Sequence, residues 1–220
     1  MYNYDLIKDK VNNEILYLSG YFQDNFNDFA YINRKDQEMI NFSKNNNENG
    51  FIIVISGCFA PIHIGHINMI DVAKKYIEEK HNKKYGFSIL FPSHDSYVNS
   101  KTNLWTIDKR INYFNENFKD KHIYFDYKPA KELQNDINFT YLVQKVRNNF
   151  KNNDIYFVFG GDNFMFHIAF HNTDINTISI TRYNDKIDNE KISIVEKFKE
   201  DYIHINHNDY KNISSTLIRK

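Results

Sequence analysis

A chain of 220 residues, 41% of them hydrophobic and 16% aromatic, can bury a sizeable core, about 150 to 200 residues in one domain with an appendage. Lys plus Arg and Asp plus Glu number 28 each, so no global field draws the chain to nucleic acid or to a membrane surface, and any anion site must be local. No apolar run approaches the roughly 20 residues that span a bilayer, and the single cysteine, Cys58, excludes an intramolecular disulfide. A soluble protein of the cytoplasm, or of the nucleus, is expected, with neither nucleic acid nor membrane as a partner.

Residues 1–50 form the first unit, an N-terminal extension and linker. Ile15, Leu16, Leu18, Phe22, Phe26 and Phe29 recur at roughly helical spacing, and the polar run KNNNENG ends the segment. From residue 51 the pattern changes. Strands are expected at 51–56, 87–92, 122–126, 155–160, 177–181 and 202–205, with helix-period segments near 65–80, 104–119, 135–150, 162–170 and 187–200. Alternation of this kind needs parallel crossovers, and strands apolar on both faces suit a sheet covered on both sides. Residues 51–220 therefore read as a doubly wound α/β domain with a parallel sheet. Ligands in such folds bind beyond the carboxyl ends of the strands.

The segment after the first strand, GCFAPIHIGH at 57–66, concentrates two of seven glycines and one of three prolines. Gly57 lets the backbone approach a ligand, Pro61 stiffens the turn, and Gly65 opens a helix whose free N–H groups favour an anion. His63 and His66, three apart, can both project toward that end, an arrangement suited to phosphate. At the other end of the chain, ISSTLIRK at 213–220 offers hydroxyls at a helix start and an arginine one turn on.

GCFAPIHIGH resembles the GxFxPxHxGH signature of the nucleotidyltransferase superfamily, with Cys58 and Ala60 as departures. ISSTLIRK looks like the ISSTxIR motif of the nicotinamide or nicotinate mononucleotide adenylyltransferases. PSHDSYVNSK at 92–101 resembles their PVxDxYxxxK stretch, with Asp95, Tyr97 and Lys101 in matching places. Arg110 matches a family arginine, FGGDNF at 159–164 resembles the GAD motif with Gly161 replacing alanine, and TR at 181–182 also matches. The likeness runs from about residue 51 to 219 and leaves the first fifty residues unexplained.

What the resemblance implies is a Rossmann-like adenylyltransferase that joins ATP to nicotinamide or nicotinate mononucleotide with release of pyrophosphate, Mg²⁺ accompanying the ATP. Its catalytic residues would be His63, His66, Lys101 and Arg219. ATP would be met by Gly65, Gly160, Asp162, Ile213, Ser214, Ser215 and Thr216, with Asp162 on the ribose. The mononucleotide would be met by Gly57, Cys58, Phe59, Asp95 and Tyr127, the last stacking on the pyridine ring. No resident metal ligands are assigned, and a homo-oligomer is left open.

Two other readings stand beside this one. A sister enzyme, a pantetheine-phosphate adenylyltransferase or a cytidylyltransferase, would share the two histidines but use another acceptor. A non-catalytic nucleotide-binding protein would retain the fold without turnover. His167 and His171 have a spacing that could serve zinc but lack a third ligand, so packing is expected of them. His204 and His207 are read as surface or packing residues, and VEKFKED at 195–201 as a solvated helix face.

Overall fold

A computed structural model describes residues 49–99, 105–118, 122–127, 130, 146–147, 150–171, 173–182, 185–207 and 213–218. The expected N-terminal helices and most of the expected helix at 135–150 lie outside these residues.

Six strands form one sheet: β1 (Gly50–Gly57), β2 (Lys84–Pro92), β3 (Ile123–Phe125), β4 (Asp154–Gly160), β5 (Asn176–Arg182) and β6 (Ile203–His207). All neighbours are parallel, in the order β3-β2-β1-β4-β5-β6. The helices are α1 (Ile64–His81), α2 (Asp95–Asn99), α3 (Ile107–Asn117), α4 (Phe166–Ala169), α5 (Asn189–Phe198) and α6 (Ser215–Ile218). This is the Rossmann-like α/β architecture expected from the alternating pattern.

The period-two geometry of a strand explains why β1 is apolar throughout. Phe51, Ile53 and Ile55 point to one face, where Ile67, Ile70, Ala73 and Ile77 of α1 meet them with Phe114 of α3. Ile52 and Val54 point to the other, into a cluster with Phe87, Ile89 and Phe91 of β2 and Phe157 and Phe159 of β4. Burying each such side chain is worth about 1.5–3 kcal/mol, so the two faces together fix both register and layer order. A smaller cluster joins Phe164 and Ile168 to Ile194 and Val195 of α5.

Three elements differ from the sequence reading. The helix expected at 162–170 is instead a 3₁₀ turn at Gly161–Asn163 followed by the one-turn α4. Gly161 lies against β5, where a Cβ would come within 2.5 Å of Thr181 Cγ2, so this segment hugs the sheet before it can wind. The helix expected from 104 begins at Ile107, because the Thr106 hydroxyl accepts the Lys109 N–H and caps it there. Helix α2 had not been anticipated; His94 Nδ1 accepts the Ser96 N–H at its start.

The chain builds outward from β1 to β2 and β3, then returns to lay β4 against the free side of β1 before continuing to β5 and β6. The direction of winding thus reverses between β1 and β4, which opens a crevice beyond their carboxyl ends. GCFAPIHIGH leaves β1 at that crevice, and GGDNF leaves β4 beside it. Among the described residues no helix is long and apolar enough to cross a membrane.

Candidate active site

The helix α1 starts with a histidine where Ser or Asp is more common. His63 is extended, with φ −147° and ψ 170°, and its Nδ1 accepts the Gly65 N–H at 3.2 Å. His66 returns the favour, its Nδ1 accepting the His63 N–H at 3.2 Å. This is a reciprocal capping box built from two imidazoles. The rings lie 3.8 Å apart between centroids, inclined by 30°. Gly65 leaves room for the ring, since a Cβ there would sit 3.0 Å from His63 Cε1 and Nδ1.

The caps dictate tautomers. In a neutral imidazole one nitrogen accepts and the other donates, so with both Nδ1 atoms accepting, both Nε2 atoms carry hydrogen. Burial, with Arg182 next, lowers the His63 pKa to about 4. Burial, then His63, then Arg182 hold His66 well below its ordinary value of 6.5. Both rings are therefore neutral at pH 7, and each still presents an Nε2–H donor. Phe59 supports His66 edge-on, with centroids 5.1 Å apart, and is itself held at φ 43°, a left-handed conformation rare outside glycine. The Ala60–Pro61 peptide that follows is cis.

The C-terminal segment meets this loop. Ser215, in the first turn of α6, donates its hydroxyl to the Pro61 carbonyl at 2.8 Å across 154 residues of sequence. Ile213 and Ser214 immediately precede α6, and Thr216 lies exposed within it. Lys101 and Arg219 lie outside the described residues. After β4, Asp162 folds its carboxylate back over Gly160, in the space a Cβ would need. Tyr127 follows β3 at the carboxyl edge, where the Asp126 N–H extends the ladder to the Leu90 carbonyl at 2.9 Å.

Arg110 of α3 is fully buried and joins the loops after β1 and β2. Its Nη1 donates to the carbonyls of Cys58 and Ser93, both at 2.8 Å, and its Nη2 meets Asp95 Oδ1 at 2.6 Å. The Ser93 N–H closes the same junction on the Gly57 carbonyl at 2.9 Å. Asp95 is thus engaged with a protein cation, while Gly57, Cys58 and Phe59 form the loop that this cation holds.

Several polar residues have roles that the sequence did not disclose. Arg182, at the end of β5, is near enough to depress both capping histidines. His167 is fully buried between Thr177 Oγ1, at 2.7 Å, and Ser179 Oγ, at 2.9 Å, and is not paired with His171, whose Nδ1 lies 2.7 Å from the Ile168 carbonyl. The chain continues from Ser179 to His204 at 2.8 Å and from His204 to Asn206 at 3.3 Å, where the Thr181 hydroxyl also ends at 2.6 Å. His204 is therefore part of a polar chain across β5 and β6. Lys199, read as part of a solvated face, is buried and donates Nζ to the Ile175 carbonyl at 3.1 Å; Glu196 and Lys197 do face outward. Among the described residues no group of three or more His, Cys, Asp or Glu is placed to hold a metal ion.

A parallel sheet in this order, with a histidine-capped helix after its first strand and a C-terminal serine bound to the same loop, defines a nucleotide-handling α/β protein. The chain belongs to the cytidylyltransferase-like family, whose model matches residues 54–220, and it is thus a nucleotidyltransferase-family enzyme. Among solved structures it is similar to Plasmodium falciparum nicotinic acid mononucleotide adenylyltransferase complexed with NaAD, at 19% identity and a TM-score of 0.57 over 77% of this chain and 82% of that one. The corresponding complex with APC gives a TM-score of 0.54 at 19% identity, over the same 77% and 82% of the two chains. At such identity the likeness is one of fold. No curated protein sequence matches the chain.

Proposed function

We propose that the protein is an adenylyltransferase that joins MgATP to nicotinamide or nicotinate mononucleotide and releases pyrophosphate. The observation that carries this reading is the Ser215 to Pro61 hydrogen bond, which puts the ISST segment against the HIGH segment. Neither segment alone is specific; joined, they surround one end of α1 with donors suited to a polyphosphate.

In the proposed reaction an oxygen of the mononucleotide phosphate attacks the α-phosphorus of ATP in line. A new P–O bond forms as the bond to the bridging oxygen of pyrophosphate breaks, and the electron pair leaves with pyrophosphate. The nucleophile is already an anion, so no general base is required. What the protein must supply is alignment of two polyanions and donors for the charge that spreads over the phosphate oxygens. His63 and His66 would donate through Nε2–H while neutral, a role that needs no imidazolium. Lys101 and Arg219 would hold the triphosphate tail and the departing pyrophosphate, with Gly65, Ile213, Ser214, Ser215 and Thr216 completing that side. Asp162 would accept from the ribose over Gly160. Magnesium would arrive with the triphosphate, held by phosphate oxygens and water, since Mg²⁺ keeps most of its hydration.

The loop Gly57, Cys58 and Phe59 would receive the mononucleotide, and Tyr127 would stack on its pyridine ring. Support for this acceptor comes from DxYxxxK at 95–101, from ISSTxIR at 213–219, and from the shared fold with a nicotinic acid mononucleotide adenylyltransferase. The test is product identity. Incubation with MgATP and either mononucleotide should yield the corresponding dinucleotide by mass spectrometry, and the absence of both dinucleotides would contradict the proposal.

A further inference from the structure

Arg110 is placed against three ordinary expectations. A buried cation loses its hydration, and burial lowers its pKa, an effect that Asp95 and then Cys58 oppose. It occupies the first turn of α3, where the helix dipole disfavours positive charge. Its Nε is buried with no hydrogen-bond partner, an uncompensated loss. An apolar side chain would avoid those penalties but would leave the Cys58 and Ser93 carbonyls and Asp95 without this donor, so what the arginine supplies is the joining of those groups.

Its contacts suggest another role. Two carbonyls from different loops, Cys58 after β1 and Ser93 after β2, converge on the single Nη1 atom, and Asp95 holds Nη2. A planar fork can serve acceptors on two loops and a carboxylate at once in a way that an ammonium cannot. Asp95 is the outer end of this arrangement, its side chain 28% exposed while that of Arg110 is 0% exposed.

We propose that Arg110 and Asp95 are positioning residues that set the mononucleotide loop, Asp95 acting through Arg110 and not by touching substrate. This rests on the reading of the Gly57 to Phe59 loop as the mononucleotide subsite. The pair ties together the loops that leave β1 and β2 just beyond their last ladder partners, Gly57 and Pro92, and so sets the depth at which an acceptor phosphate approaches the Nε2–H donors of α1. The triphosphate side is tied separately, through Ser215 to the Pro61 carbonyl three residues further along the loop than Cys58.

The experiment uses the full chain and the variants Asp95→Asn, Arg110→Lys and the double variant. For each, kcat and the KM of both substrates are measured, with hydrogen–deuterium exchange of segments 57–60 and 93–98. Asp95→Asn is mild because the carboxylate is partly exposed, and it should raise the mononucleotide KM about tenfold while the ATP KM stays within twofold. Exchange should rise in both segments, and the double variant should be no worse than Arg110→Lys alone. Fold-changes that multiply would overturn the proposal, showing that Asp95 meets substrate independently. Equal shifts in both KM values, or unchanged exchange in Asp95→Asn, would overturn it too. If the unaltered protein made no dinucleotide, the functional reading would fail by itself, and the exchange data would still judge the brace.

Discussion

The capping box of α1 allows the structural and chemical duties of His66 to be separated. Asparagine at 66 keeps a side-chain oxygen near the place of Nδ1 and can still accept the His63 N–H, but it has nothing at Nε2. Removing one preorganised donor to a developing oxyanion costs about 2.7–4 kcal/mol of transition-state stabilisation, or about 10²–10³ in kcat. His66→Asn should therefore lose that much rate with little change in Tm. His66→Ala should lose the rate and the cap as well, about 1 kcal/mol, which for a domain of this size lowers Tm by about 2–4 °C. His66→Gln, whose amide reaches the Nε2 position, should recover part of the rate. Steady-state pyrophosphate release and thermal melts on the three variants make the comparison. Because both rings donate while neutral, kcat should also stay flat from pH 6 to 8. Full activity in His66→Asn, or a rate that climbs as pH falls through 6.5 and loses that climb in the variant, would refute the neutral-donor mechanism.

Two further predictions follow from the same geometry. The folded-state pKa values of about 4 for His63 and about 3 for His167 lie below the 6.5 of an unfolded chain, so the unfolded state binds more protons. Their stabilisation is fully present above pH 6.5 and is lost as pH falls toward 4 and then 3. Between pH 8 and pH 5 each should cost about 2 kcal/mol, and urea unfolding should show that His167→Gln removes about half of the combined drop. Gly160→Ala places a methyl group where the Asp162 carboxylate now lies; it should raise the ATP KM more than tenfold with the mononucleotide KM little changed, and equal effects on both would argue against a ribose role for Asp162.

The fold was legible because β1 carries its signal twice: an unbroken FIIVI run that must be covered on both faces, and a glycine-rich turn leading into an amphipathic helix. The strand cores were placed by the same means. Local capping chemistry set the helix limits, and a periodicity reading could not see that Thr106 stops the helix from starting at 104 or that Gly161 presses against Thr181. In the site, the two histidines could be read from spacing, while their tautomers and neutrality depend on mutual capping and on Arg182, over 100 residues away. The burial of Arg110 and Lys199 was invisible for a related reason: a charged residue in a polar stretch looks solvated until the fold brings carbonyls from elsewhere to meet it. The chain from His167 to Asn206 is likewise assembled from residues 10 to 25 positions apart on β5, β6 and α4.

In the proposed reaction one site, made from both ends of the domain, transfers an adenylyl group to a pyridine mononucleotide. The most direct measurement is pyrophosphate release by the purified protein with ATP and Mg²⁺, offered nicotinamide mononucleotide, nicotinate mononucleotide and phosphopantetheine in turn. Turnover is expected with a pyridine mononucleotide, the ratio of kcat/KM values deciding between amide and acid. Release with phosphopantetheine alone, or with none of the three until CTP replaces ATP, would contradict the claim.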